Sequence, residues 1–326
     1  MRLPWVPGSA SGIGSLPGTD IREAVRTVFG ELPLPYLPEL PDRGPGADLI
    51  GRTAGLLVDL PVDLYMARWR VVPRAGRDNR RIADLWLRDL DALTEEADGY
   101  TGPLKVQAAG PWTLAASLQL PIGGPMLRDV GAVRELTGSL AEGLASHVRE
   151  VGRRVPGASV LLQLDEPSLP AVLAGRIPTE SGFGTLRTVS EPAARDALAA
   201  VVAGAGVPVV VHCCASSVPV GLIRSAGAVG VALDLSLEPA IDPLGEALDA
   251  GFGLFSGAFP ATGAPPPSAD VAASVRDLWR KVGLPADRLP EQVVVTPSCG
   301  AGGATPADAR AGLAVAREAA QRLLES

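Results

Sequence analysis

Two stretches in the second half of the chain decide the reading: Val207-Pro208-Val209-Val210-Val211-His212-Cys213-Cys214 and Val229-Gly230-Val231-Ala232-Leu233-Asp234-Leu235-Ser236. Each is a short β-branched run that begins apolar and ends in polar or small residues. The same shape recurs in Gly251–Phe259 and in Val293–Cys299. Longer patterns of helical character separate these runs, and such alternation signals βα units feeding a parallel sheet.

Working outward, the expected strands are Ser11–Ser15, Leu34–Leu40, Lys105–Ala109, Ser159–Leu164, Pro208–His212, Val229–Leu233, Gly253–Ser256 and Gln292–Thr296. The expected helices are Ile21–Phe29, Ile82–Glu95, Val133–Val155, Glu191–Ala205, Val218–Ser225, Pro243–Ala250, Ser268–Val282 and Pro306–Leu324. Ser190-Glu191-Pro192 and Thr305-Pro306 each pair an N-cap with proline in the first turn. Eight units with right-handed crossovers close into a (β/α)8 TIM barrel, an α/β fold. No repeat or linker interrupts the chain, so residues 1–326 are expected to form a single domain.

The 326 residues are 47% hydrophobic and 20% charged, which fits a globular core. A net charge of −7 leaves no basic stripe for phosphates and argues against nucleic acid as a partner. No apolar window is long enough for a membrane span, and Met1-Arg2-Leu3-Pro4-Trp5 has no signal core. A cytoplasmic location is expected, where the three cysteines stay free for metal or catalysis.

In an extended chain, residues two apart face the same way, so His212 and Cys214 can grip one ion while Cys213 points away. Cys299 ends the eighth expected strand, and barrel closure brings the rims of strands five and eight together. One imidazole and two thiolates suit Zn2+ with a position left open for substrate. The alternative is a core histidine beside small buried cysteines. Asp234 at the end of strand six is a candidate fourth ligand, with Glu238 as the weaker choice, and either can equally cap a loop. His147 lies within a helix and takes no role.

Asp165-Glu166 ends an apolar strand, where carboxylates are costly unless they meet cations or donors. A substrate ammonium is one such partner; a helix cap or ion pair is the alternative. Ser11-Gly12-Ile13-Gly14-Ser15-Leu16-Pro17 is glycine-rich without matching a dinucleotide fingerprint, so its amides can approach and hold a carboxylate. Trp112, in Gly110-Pro111-Trp112-Thr113, offers a flat ring for stacking, although an isolated tryptophan is more often core.

Together Ile13-Gly14-Ser15-Leu16-Pro17, Gly110-Pro111-Trp112-Thr113, Asp165-Glu166-Pro167, His212-x-Cys214 and Pro297-Ser298-Cys299-Gly300 resemble the C-terminal catalytic barrel of cobalamin-independent methionine synthase. The motifs occur in that family's order and span nearly the whole chain. The resemblance implies zinc on His212, Cys214, Asp234 and Cys299, the last acidic ligand being shortened from a glutamate. It implies homocysteine held by Ile13, Gly14, Ser15 and Asp165, with Glu39 near the substrate amino group and Trp112 near the methyl donor. Methionine would be the product, or the methyl group would go to another thiol, or the barrel would keep zinc for structure alone.

Two departures from the family pattern bear on the donor. The family's additional N-terminal barrel has no counterpart in these 326 residues, and its general-acid histidine aligns with Ala258. Methyl-tetrahydrofolate needs a proton delivered to its leaving nitrogen, whereas a methyl-corrinoid does not. The donor is expected to be a methyl-tetrahydrofolate or, favoured by these departures, a methyl-corrinoid, with a corrinoid protein as partner.

Overall fold

The computed structural model describes residues 3–325. A short antiparallel hairpin, β1 (Val62–Tyr65) and β2 (Arg68–Val71), precedes the sheet. The sheet itself runs β3 (Gly102–Ala109), β4 (Ala158–Asp165), β5 (Val209–Cys213), β6 (Gly230–Asp234), β7 (Gly253–Phe259) and β8 (Val293–Pro297), all parallel and in sequence order. These are the last six of the eight expected strands, each within a few residues of its expected bounds.

The first two expected strands are not regular. Segment 10–16 touches β8 through the Ala10–Val295 bridge, and it touches segment 34–40 through Ser15–Glu39. Segment 34–40 in turn reaches β3 at Tyr36–Lys105. The ring of eight therefore closes, but by single bridges. Pro33, Pro35 and Pro38 lack the N–H groups a ladder needs, which explains the interruption.

Alternation along the strands sorts two cores. Leu161, Val210, Ala232, Phe255 and Val294, with Ile13 and Leu34, fill the barrel interior, and Trp5 packs edge-on against Phe255 beneath them. The remaining apolar strand residues face the helices. Burying one such side chain contributes about 1.5–3 kcal/mol. Two steps along from this inner layer, the same inward face carries Gln163, His212 and Thr296. The barrel is apolar below and polar above.

Helices Glu191–Ala205, Ser268–Val282 and Pro306–Leu324 match their expected bounds. Thr305 caps the last of these by accepting from the Asp308 amide at 3.1 Å, whereas the Ser190 side chain makes no cap bond. Among the described residues no helix is long and apolar enough to cross a membrane.

Candidate metal centre and substrate site

β5 ends by placing His212 inward, with Cys214 one loop residue beyond; the turn after β8 brings Cys299 to the same place. The ligand atoms of His212, Cys214 and Cys299 all lie within 4.8 Å of one another. Cys213 is fully buried on the other face, where burial pushes its thiol up to about 12. The expected division between Cys213 and its neighbours is thus the one found.

The Cys214 and Cys299 sulfurs are 3.6 Å apart. The hydrogen bond the two thiols share pulls Cys299 down to about 6, while that contact and burial push Cys214 up. One proton is easily lost from the pair and the second is not, because two adjacent thiolates repel unless a cation joins them. Two sulfurs bound to tetrahedral Zn2+ at about 2.3 Å each would stand about 3.8 Å apart, close to the separation here.

His212 supplies the sharper test of fit. Its Nδ1 is 2.7 Å from Asp165 Oδ1, while its buried Nε2 has no hydrogen-bond partner. Leaving such a nitrogen unsatisfied costs about 1–3 kcal/mol. A carboxylate that holds one imidazole nitrogen and leaves the other bare is the arrangement that orients a metal-bound histidine. The donor set fits Zn2+.

The expected fourth ligand does not join this group. Asp234 Oδ1 accepts from Ser236 N at 2.9 Å and from Ser236 Oγ at 2.6 Å, capping the turn Leu235–Leu237. The loop-cap alternative describes this side chain as it stands. Glu238 sits at the end of that turn with a φ of 48°.

Residues 13–15 form an irregular segment that meets segment 34–40 through the single parallel Ser15–Glu39 bridge. Ile13 O accepts from Lys105 Nζ and Gln163 Nε2, both at 2.8 Å. Gly14 O accepts from Glu39 N at 3.1 Å, and Ser15 O from Ala301 N at 2.8 Å. The three amide N–H groups donate to nothing among the described residues. Gly14 passes tightly over Gln107, where a Cβ would lie 3.2 Å from its Cγ. Ser15 Oγ is taken by Gly302 N at 3.1 Å, which ties the turn to the loop after Cys299.

Glu39 is buried and held at 3.3 Å by Gln107 Nε2. Burial pushes its carboxyl up to about 7, against the opposing charge of Arg52. Asp165 Oδ1 also accepts from Gln163 Nε2 at 2.7 Å. Glu166, the other carboxylate of the pair, accepts from Trp112 N, Thr113 N and Thr113 Oγ1 at 2.8–2.9 Å and so caps helix Pro111–Ser117. Gly110 makes room for it, since a Cβ there would lie 2.4 Å from Glu166 Oε1.

Trp112 is placed differently from the expectation. Its Nε1 donates to Ala194 O at 2.9 Å, and its ring belongs to the outer core. It lines a groove of about 600 Å³ between helices Val130–Arg154 and Glu191–Ala205. Sequence reasoning passed over Lys105, Gln107, Gln163 and Thr296, although polar residues two apart in apolar strands were a readable sign of an inward polar layer.

The family profile described as "Cobalamin-independent synthase, Catalytic domain" matches residues 9–322. Among solved structures, a B12-independent methionine synthase from Shewanella sp. W3-18-1, in complex with selenomethionine, is 13% identical. Its TM-score is 0.62, and the alignment covers 100% of this chain and 98% of that one. A methyltransferase from Methanosarcina mazei is 14% identical with a TM-score of 0.58, covering 97% of this chain and 94% of that one. At these identities the likeness concerns the fold. No curated protein matches the sequence.

Proposed function

The chain belongs to the family of cobalamin-independent synthase catalytic domains and is a methyltransferase, and from that premise we propose that it methylates the thiol of homocysteine to give methionine. The observation that carries this reading is the bare, buried Nε2 of His212 beside Cys214 and Cys299, with Nδ1 held by Asp165. His212, Cys214 and Cys299 would hold Zn2+, while Asp234 stands outside this group with its Oδ1 held by Ser236. Zinc supplies the chemistry that a free thiol lacks at neutral pH, since a metal lowers the thiol pKa from its usual value near 8.5.

The chain's own residues bind and orient the substrate. The open amides of Ile13, Gly14 and Ser15 receive the α-carboxylate. Glu39 and Asp165 face the ammonium from segment 34–40 and β4, which fixes the amino acid and directs its sulfur toward the cysteines. Trp112 could touch the methyl donor only from its groove outside the barrel.

The donor is proposed to be a methyl-corrinoid, free or carried by a partner protein. What supports this is Ala258, which stands beside the β7 irregularity at Gly257/Phe259, where a methyl on a folate nitrogen would call for a proton donor. Both donors should be tried with zinc-loaded protein. Wild type is expected to turn over with methylcobalamin, and Ala258→His should leave that rate unchanged. With methyl-tetrahydrofolate wild type should be slow, and Ala258→His should raise its rate by about 10²–10⁴-fold if the imidazole reaches the nitrogen. Brisk folate turnover by wild type, with none from the corrinoid, would reject the donor assignment.

A further inference from the structure

Lys105 lies at 0% exposure on the inner face of β3 and forms no ion pair among the described residues. Its Nζ donates to Ile13 O at 2.8 Å and to Gln163 Oε1 at 2.9 Å, and it stands 4.8 Å from the centre of the Tyr36 ring. Burying a lysine amino group on neutral oxygens is costly, and the layer directly below shows that apolar side chains fill this barrel well. The same Ile13 carbonyl accepts from Gln163 Nε2 at 2.8 Å, and that nitrogen also donates to Asp165 Oδ1, which holds His212. A continuous chain of hydrogen bonds therefore runs from Lys105 through Ile13 O, Gln163 and Asp165 to His212.

A trans peptide is planar, so the Ile13 carbonyl and the Gly14 N–H point in opposite directions. Two donors fixed to Ile13 O thereby fix where the Gly14 N–H aims. We propose that Lys105 and Gln163 are positioning residues: by holding the Ile13 carbonyl they aim the 13–15 amides at the substrate carboxylate and keep that turn in register with His212. This rests on the reading above, in which those amides receive the carboxylate of homocysteine. Neither side chain touches the reacting sulfur in this scheme.

The test compares two thiols on zinc-loaded protein by calorimetry: homocysteine, and 3-aminopropane-1-thiol, which lacks only the carboxylate. Wild type should prefer homocysteine. Lys105→Met should reduce that preference by about tenfold while leaving zinc content and affinity for the carboxylate-free thiol unchanged. Gln163→Met should reduce it similarly and also weaken zinc retention, because it loosens Asp165 as well; this variant decides the matter if Lys105→Met does not fold. A parallel fall for both thiols means general damage and overturns the proposal. A preference kept in both variants overturns it while sparing the substrate reading. No preference in wild type overturns both.

Discussion

The two arcs of the barrel are built by opposite means. β5 to β8 are apolar strands joined by parallel ladders, interrupted once at the Gly257/Phe259 bulge of β7, and they deliver His212, Asp234 and the Cys299 loop to one rim. Segments 10–16 and 34–40 pair by isolated bridges only. Their irregularity is what leaves three consecutive amides open, since in a regular ladder alternate N–H groups of 13–15 would be consumed by neighbouring strands. A metal centre needs side chains held rigidly, and ladder regularity supplies that. A carboxylate cradle needs unspent backbone donors, and regularity would remove them.

The largest effects should come from breaking the regular arc. Purified protein should hold about one zinc per chain, and Cys214→Ser or Cys299→Ser should lower zinc affinity by more than about a hundredfold. Even an outer partner such as Asp165 is worth about 10–100-fold, which is the loss expected for Asp165→Asn. That variant should also bind homocysteine less well, since Asp165 faces the ammonium. Cys213→Ser should keep its zinc, because its side chain lies on the far face of β5. Metal analysis after dialysis distinguishes these cases, and zinc lost from the Cys213 variant alone would mean that the inward face of β5 is misassigned.

The same contrast governs how much could be read from sequence. Val209 to Cys214 and Val293 to Cys299 are legible because burial on both sides of a parallel strand leaves a plain apolar run with chemistry at its end. Period two separates His212 and Cys214 from Cys213, and barrel closure brings Cys299 to them. Segment 34–40 misleads because its leucines and Tyr36 advertise a strand that the prolines then interrupt. The β1–β2 hairpin escapes for another reason. Its turn places Met66 and Ala67 at φ values of 46° and 61°, without the Asn-Gly signature that normally marks such a turn. Trp112 and Asp234 illustrate a third limit: sequence places a residue at a strand end, but not which neighbour claims its polar atom. Ala194 O and Ser236 claim these two.

A smaller effect is expected from stiffening the irregular arc. A Cβ at Gly12 would fall 2.5 Å from Tyr36 Cε1 and Oη, and Tyr36 is itself buried to 1% exposure. The ring has nowhere to retreat, so Gly12→Ala should destabilise the protein by about 1–3 kcal/mol, as overpacking does. Urea unfolding measures this. The variant should keep its zinc while binding homocysteine less well, which would show that the two arcs fail separately. Zinc lost in step with stability would argue that they form one unit.

The smallest predicted effect concerns pH, and it too belongs to the irregular arc. Burial pushes Glu39 up to about 7, so its carboxyl carries charge above that pH and loses it below. A substrate ammonium is attracted only by the charged form, so binding should weaken as pH falls through 7. L-Methionine, the proposed product, is the suitable ligand because its own groups do not titrate between pH 6 and pH 8. Across that window the ionised fraction of Glu39 drops from about nine-tenths to about one-tenth, so the Glu39 contribution should fall by up to about tenfold. Lys105, pushed down to about 7 by its own burial, gains a proton over the same range. That added charge favours the carboxylate end and works against the loss. Glu39→Gln separates the two: it should bind methionine more weakly than wild type at pH 8, and its affinity should hold steady or rise toward pH 6. If wild type and Glu39→Gln follow the same pH course by calorimetry, Glu39 does not hold the ammonium, and Asp165 alone carries that end of the substrate.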